Sequence, residues 1–144
     1  MPKLTIIYGT GSRNTERMAQ AIEEGAKAQG IETILINVSC ADKIELVDAQ
    51  AIAIGSPNYR DLMMPTVQKF LNELSSLDLS GKIGLAFGSY GWGLEAIQAI
   101  NEQLASYGVE MMPVLAIKRI PEEEGLEICR TAGFSLALKI KNIK

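Results

Sequence analysis

Residues 4–15 read LTIIYGTGSRNT, and this stretch decides the fold class. Its first five residues are apolar, β-branched or aromatic, which favours a strand buried on both faces of a parallel sheet. Glycines, hydroxyls and an amide follow, and a helical pattern begins at residue 15. A strand that leads through a loop into a helix is the repeating unit of an α/β protein.

The same alternation continues along the chain. Nearly continuous apolar runs predict five strands, at 4–8, 33–38, 51–55, 83–87 and 111–117. Amphipathic spacing predicts helices at 15–29, 65–74, 94–107 and 122–141, with a short, weaker helix at 42–47. Right-handed crossovers then give a doubly wound, three-layer α/β sandwich, for which 2-1-3-4-5 is the usual order of five strands. The pattern alone does not prove that order.

Length and composition predict a single globular domain over residues 1–144, because 47% of the residues are hydrophobic and 22% are charged. The net charge of -3 names no partner, and no basic patch for nucleic acid is visible. The first apolar run is too short for a signal peptide, and no run is long enough to cross a bilayer. We therefore expect a cytoplasmic protein without a membrane partner.

The chain contains no histidine, which argues against His-ligated metal sites, Ser-His-Asp triads and Cys-His pairs. Cys40 and Cys129 lie far apart in sequence and form no CxxC motif. We expect both to be reduced thiols in or near the core. Any chemistry then belongs to a cofactor rather than to a catalytic side chain or a bound metal.

The loop at 9–15 is the first candidate binding segment, because ligands of doubly wound sheets bind beyond the carboxyl ends of the strands. It places hydroxyls and an amide at a helix N-terminus, whose unpaired N–H groups attract anions. It matches neither GxxxxGK[ST] nor GxGxxG, which disfavours a triphosphate or a dinucleotide. Two interpretations stay open: a monoester phosphate site, or a turn with an Asn or Thr N-cap.

The loops after the third and fourth strands carry large side chains where loops are normally polar. Residues 55–65 include Tyr59, Leu62, Met63 and Met64, which form either an apolar wall for a flat ligand or a segment folded onto the core. Residues 88–93 read GSYGWG and hold the only tryptophan, Trp92, which either lies against a ligand or caps the helix–sheet interface. A phosphate cradle between two aromatic walls suits FMN.

Three motifs carry a family resemblance. The first, Y-x-T-x-x-x-[SN]-T-E-x-M-A, is matched by Tyr8, Thr10, Asn14, Thr15, Glu16, Met18 and Ala19. The second, G-S-P-T, is matched at its first three positions by Gly55, Ser56 and Pro57, with Pro65 at the following helix start. The third, F-G-x-Y-G-W, is matched by Phe87, Gly88, Tyr90, Gly91 and Trp92. Over nearly its whole length the chain resembles the flavodoxin-like superfamily, most closely the flavodoxin domain of the A-type flavoproteins (flavo-diiron family).

This resemblance implies the strand order 2-1-3-4-5 and a non-covalent FMN. By position, the phosphate would be held by Thr10, Gly11, Ser12, Arg13, Asn14 and Thr15. One side of the ring would be flanked by Ser56, Pro57, Asn58 and Tyr59, and the other by Ser89, Tyr90, Gly91, Trp92 and Gly93. The sequence departs from the family at Arg13, where a small residue is usual, and at Asn58, Tyr59 and Arg60. A chain without histidine cannot supply a His-rich diiron ligand set, so we expect a stand-alone flavodoxin.

The leading hypothesis for the function is an electron carrier that shuttles electrons between redox partner proteins, as a monomer or weak dimer. The alternative is an FMN-dependent NAD(P)H:quinone or flavin reductase on the same fold. A phospho-receiver domain shares the topology but needs acidic residues at the ends of strands one and three. Tyr8-Gly9 and Gly55-Ser56 offer none, which disfavours that class.

Overall fold

The computed structural model describes residues 2–58 and 61–142. The strands are β1 (Lys3–Tyr8), β2 (Glu32–Asn37), β3 (Ala51–Gly55), β4 (Ile83–Tyr90), β5 (Glu110–Met111) and β6 (Leu115–Lys118). The α-helices are α1 (Asn14–Lys27), α2 (Pro65–Glu73), α3 (Glu95–Ser106) and α4 (Glu123–Lys141). Short 3₁₀ turns occupy Val38–Cys40, Lys43–Leu46 and Leu74–Ser76.

All the strand pairs are parallel, and the order along the sheet is β2-β1-β3-β4-β5, with β6 also paired to β4. This confirms the predicted doubly wound fold and strand order. The order reverses between β1 and β3, so their carboxyl ends and that of β4 form the edge at which ligands of such sheets bind.

The predicted fifth strand is wrong in one respect, because it is divided into β5 and β6. β5 pairs with Ile83 and Gly84, and β6 pairs with β4 from Phe87 onward. Three residues, 112–114, thus lie between β5 and β6, opposite two residues of β4, 85–86. The one extra residue makes a local bulge. Pro113 lies in this bulge and has no N–H group to donate to a ladder.

The predicted helix at 42–47 is also wrong in type, since the chain forms a 3₁₀ turn at Lys43–Leu46, after another at Val38–Cys40. Asn37 and Asp42 each precede such a turn, and their side chains accept hydrogen bonds from the backbone N–H groups of Ser39 and Ile44. These local side-chain bonds compete with a continuous α-helix.

Two apolar clusters cover the two faces of the sheet. α1 and α4 pack on one face, where Met18, Ile22 and Leu136 are fully buried. α2 and α3 pack on the other face, where Leu71 and Ile100 are fully buried. The amphipathic spacing that predicted these four helices therefore corresponds to apolar faces that pack on the sheet.

Glycines let α1 and α4 approach until their backbones touch. A Cβ atom at Gly25 would overlap the carbonyl oxygen of Arg130, and one at Gly133 would overlap that of Ile22. The Arg130 guanidinium also binds the carboxylate of Glu24 at 3.1 Å. α4 thereby holds α1, whose N-terminus lies at the ligand-binding edge of the sheet.

Of the two cysteines, Cys129 is fully buried in the core, as predicted, while the prediction for Cys40 is wrong because it is exposed. Cys40 ends the 3₁₀ turn that follows β2, outside the apolar clusters. Within the described parts of the chain, no helix has the length and apolar character needed to span a membrane.

Candidate functional site

The three loops predicted to carry function meet at the carboxyl edge of β1, β3 and β4. A small cavity of about 160 Å³ opens there. Its lining contains seven of the predicted site residues and one that the sequence did not single out: Ser12, Asn14, Pro57, Asn58, Ser89, Tyr90 and Gly91, together with Arg119. The three loops thus lie together around one cavity, as the topology predicts.

The N-terminus of α1 forms one wall of this site and has no capping side chain. Its N-cap residue is Arg13, which adopts a left-handed backbone with φ 71 and makes no side-chain cap hydrogen bond. The interpretation of this loop as a turn with an Asn or Thr N-cap is therefore wrong. The first-turn N–H groups keep their partial positive charge, and Ser12 and Asn14 line the cavity beside them.

The hydroxyl of Thr10 is the most informative polar group of the first loop. Among the side chains of residues 2–58 and 61–142, its Oγ1 is the one buried oxygen or nitrogen that lacks a hydrogen-bond partner. A buried unsatisfied hydroxyl costs about 1–3 kcal/mol, so such groups are rare without a reason. This donor lies in the loop that the sequence assigns to an anion.

A pair of buried hydroxyls joins the first loop to the third. Thr15, in the first turn of α1, is 1% exposed, and Ser89, near the end of β4, is 5% exposed. Their Oγ1 and Oγ atoms are 3.1 Å apart, with either atom able to donate. Both residues were predicted as FMN contacts, and the structure brings them into contact with each other.

Backbone hydrogen bonds extend the sheet into the second loop. The N–H of Ser56 donates to the carbonyl of Phe87 at 3.1 Å, and that of Asn58 donates to the carbonyl of Ser89 at 3.0 Å. This pairing requires a glycine at position 88, because a Cβ atom there would overlap the carbonyl oxygen of Ser56. Gly88 of the third motif therefore lets the two loops lie side by side.

The side chain of Ser56 works inside the second loop. It is fully buried, donates to the carbonyl of Pro57 at 2.9 Å and accepts from the N–H of Met64 at 2.9 Å. Met63 is buried in the core on the α2 side, and Met64 packs against the same cluster. For these two methionines the apolar-wall interpretation is wrong and the folded-back one is right. Leu62 is 69% exposed, and Tyr59 and Arg60 lie outside the described residues.

Asn58 has a structural task that the sequence analysis missed. Its Oδ1 accepts a hydrogen bond from the backbone N–H of Ala96 at 2.9 Å, in the first turn of α3. The N-cap residue of α3 is Leu94, whose side chain cannot cap, so Asn58 supplies the cap from another loop. No local signal predicts this, since the two residues are 38 positions apart.

The third loop presents Tyr90, Gly91, Trp92 and Gly93 at the surface of the site. Trp92 is 90% exposed, so the interpretation that it caps the helix–sheet interface is wrong. Tyr90 and Gly91 are half-buried and line the cavity. An exposed indole at the edge of a polar cavity is available to stack on an aromatic ligand.

Arg119 is the cavity residue that sequence reasoning missed. It follows β6 with a left-handed backbone of φ 61, and its N–H donates to the carbonyl of Tyr90 at 2.7 Å. The sequence could have indicated Arg119 by its position, two residues after the fifth predicted strand (111–117). The carboxyl end of that strand lies on the same edge of the sheet. Arg13 precedes α1 and Arg119 lines the cavity, so two cationic side chains lie at this edge of the sheet. At the end of β1, burial and then the charge of Glu16 raise the pKa of Tyr8, which keeps its phenol neutral.

Comparison with known proteins agrees with this geometry. The profile of the flavodoxin family matches residues 6–133. A nitric oxide reductase of Moorella thermoacetica is 35% identical over 96% of the chain, and the match spans 36% of that relative. The chain thus spans about a third of the length of the curated relatives it matches.

Two solved structures contain this fold, one as nearly the whole chain and one as about a third of a longer chain. A flavodoxin from the domain Archaea superposes with a TM-score of 0.93 and 34% identity, covering 97% of this chain and 99% of the other. The rubredoxin oxygen:oxidoreductase of Desulfovibrio gigas superposes with a TM-score of 0.91 and 28% identity, covering 96% and 36%. The sequence, the strand order and the three-loop edge agree: the chain belongs to the flavodoxin family, whose members bind FMN.

Proposed function

We propose that this chain is a flavodoxin-type electron carrier, which holds one FMN non-covalently at the three-loop edge and exchanges electrons with redox partner proteins. The observation that carries the proposal is the buried, unpartnered hydroxyl of Thr10 next to the uncapped N-terminus of α1. A monoester phosphate supplies acceptor oxygens and negative charge, which is what this donor and this helix end require.

The phosphate is assigned to the first loop. Thr10, Ser12, Asn14 and Thr15 offer hydroxyl and amide donors, and the backbone from Gly11 to Thr15 offers N–H groups. Hydrogen bonds to a charged acceptor are stronger than neutral ones, which suits a small anchor group. Arg13 is exposed and adds charge at the rim rather than a buried contact.

The flavin ring is assigned to the space between the second and third loops. Pro57 and Asn58 flank it on one side, and Tyr59 stays a prediction on that side. Tyr90, Gly91, Trp92 and Gly93 flank it on the other. Ser56 acts from within the second loop, since both hydrogen bonds of its side chain lie inside that loop. When bound, FMN supplies the electron-transfer chemistry, and these residues bind and orient it.

The composition of the cavity favours a carrier over an enzyme with its own substrate. Its described lining holds no carboxylate and no thiol, and its titratable groups are Tyr90 and Arg119. A reductase would need groups that bind a nicotinamide and a quinone. The match over 99% of an archaeal flavodoxin supports a single domain over residues 1–144. The cytoplasmic location and the monomeric or weakly dimeric state stay predictions.

Anaerobic reduction of the FMN-loaded protein separates the two functions. For a carrier, NADH or NADPH alone leaves the flavin oxidised, and a catalytic amount of an NADPH-oxidising flavoenzyme then reduces it. Electrons should next pass to an added acceptor protein without turnover on a quinone. Stoichiometric reduction by NADPH alone, followed by quinone turnover, would replace the carrier with the reductase.

A further inference from the structure

We propose that the hydroxyl pair of Thr15 and Ser89 is a positioning link that makes the phosphate and the flavin ring bind cooperatively. This proposal rests on the proposed FMN site. It assigns to Ser89 a task other than contact with the ring: Ser89 holds the phosphate loop and the two ring-flanking loops in register.

The pair connects segments that are distant in the chain. Thr15 and Ser89 are 74 positions apart, and both side chains are almost fully buried. Thr15 lies in the first turn of α1, and Ser89 lies on β4 just before the third loop. The hydrogen bond therefore fixes the anion-binding end of α1 against the strand from which the third loop begins.

Ser89 also extends this connection to the second loop. Its carbonyl oxygen accepts from the N–H of Asn58 at 3.0 Å, and the Oδ1 of Asn58 accepts from the N–H of Ala96 at 2.9 Å. The series runs from α1 through β4 and the second loop to α3. A displacement of Ser89 changes the geometry of both loops that flank the ring.

A bound anion determines which of the two hydroxyls donates in the Thr15–Ser89 hydrogen bond. Each hydroxyl has one proton to donate and can accept from another donor. An anion at the first turn of α1 draws the proton of Thr15 toward itself, so Thr15 accepts from Ser89. The orientation of Ser89 is then fixed, and hydrogen bonds in such a chain strengthen one another. Phosphate binding thus prepares the loops that receive the ring.

A buried hydrogen bond that only stabilises the fold would not couple two ligand groups. The chain offers a matched control in Thr5, which is fully buried in β1 and whose Oγ1 donates to the carbonyl of Glu45 at 3.1 Å. Thr5→Val removes a buried hydroxyl hydrogen bond away from the three loops. It should lower stability without changing the coupling.

The test splits FMN into two probes, riboflavin and inorganic phosphate. The riboflavin affinity of the apoprotein is measured with phosphate and with sodium chloride at the same ionic strength. In the wild type, phosphate should tighten riboflavin binding at least about fivefold. Ser89→Ala should bring this ratio close to one, whereas Thr5→Val and the hydroxyl-retaining Thr15→Ser should preserve it.

Several results would overturn the link. The first is a wild-type protein that binds riboflavin equally well with and without phosphate. The second is a Ser89→Ala protein whose riboflavin affinity phosphate still tightens as much as in the wild type. The third is a Thr5→Val protein in which phosphate no longer tightens riboflavin binding. In each of these cases FMN binding, and with it the proposed function, would stand. A wild-type apoprotein that binds neither FMN nor riboflavin would refute the proposed function itself.

Discussion

The side chain of Thr10 has opposite consequences for the apoprotein and for the loaded protein. Its hydroxyl is buried without a partner, which costs stability when no ligand is bound. The same hydroxyl is assigned to the phosphate of FMN, where it gains a charged acceptor. A substitution that keeps the volume and removes the hydroxyl therefore separates folding from binding.

We predict that Thr10→Val raises the free energy of unfolding of the apoprotein by about 1 kcal/mol, because it removes an unsatisfied buried group. The same change should weaken FMN about tenfold to a hundredfold, the cost of a hydrogen bond to a charged group. Riboflavin affinity should hardly change, and Thr10→Ser should retain most of the FMN affinity. Titration of each apoprotein with both flavins checks this, and equal losses for the two would assign Thr10 to folding.

Trp92 provides a second prediction at this scale. Because its indole is 90% exposed, acrylamide should quench the emission of the apoprotein almost as well as it quenches free indole. Added FMN should quench the emission and shield the indole. Trp92→Ala should weaken FMN and riboflavin by the same factor, about threefold to tenfold, since stacking acts on the ring. Emission that FMN leaves unchanged would contradict the assignment.

Side-chain roles at the site were predictable only where a local pattern specifies them. The hydroxyls and glycines of the three loops are visible in the sequence, and the cavity is lined mostly by residues chosen on that basis. The cap that Asn58 supplies to α3 was not predictable, because its partner is set by the fold. Arg13 as a left-handed N-cap was not predictable either, since Asn14 and Thr15 are the intrinsically favoured caps.

Among the elements, the contact between α1 and α4 positions the anion-binding helix end. Gly133 is the critical position on α4, because a Cβ atom there would overlap the carbonyl oxygen of Ile22 on α1. Overpacking of this kind costs about 1–3 kcal/mol, which exceeds the roughly 1 kcal/mol that alanine gains over glycine in a helix. The geometry, rather than helix propensity, therefore decides the outcome.

We expect Gly133→Ala to lower the free energy of unfolding by about 1–3 kcal/mol in chemical denaturation. Gly125→Ala is the matched control on the same helix. A Cβ atom at Gly125 would meet only the side chain of Ile117, at 3.2 Å, which can move. This control should be neutral or stabilising by up to about 1 kcal/mol, since alanine favours the helix. Stabilisation by Gly133→Ala would refute the close backbone contact.

The elements themselves were largely predictable, because buried parallel strands and amphipathic helices leave strong periodic signals. The division of the fifth strand was not, since its apolar run continues through the bulge at residues 112–114. Pro113 was the local warning. The 3₁₀ turn at Lys43–Leu46 stands in place of the weak helix at 42–47, because the local hydrogen bond of the Asp42 side chain competes with a longer α-helix.

For the whole molecule, stability at alkaline pH depends on a thiol that plays no part in the site. Burial raises the pKa of Cys129 from 9.0 to about 12. Because the folded pKa is the higher one, the contribution of this thiol to stability is complete below pH 9 and is lost as the pH rises toward 12.

The free energy of unfolding of the wild type should therefore fall more steeply between pH 9 and 12 than that of Cys129→Ala. Cys129→Ala also leaves a cavity, which lowers stability at every pH, so the slope is the quantity to compare. Equal slopes for the wild type and Cys129→Ala would mean that the Cys129 thiol ionises as easily in the folded protein as in the unfolded chain.

The central claim is that the whole chain folds to build one FMN site at the edge where its three loops meet. It is tested most directly by removing the bound cofactor, identifying it by mass spectrometry, and titrating the apoprotein with FMN, riboflavin and FAD. We predict that FMN is released, that one FMN rebinds per chain, and that riboflavin binds more weakly because it lacks the phosphate. Release of FAD, or failure of the folded apoprotein to bind any of the three, would contradict the claim.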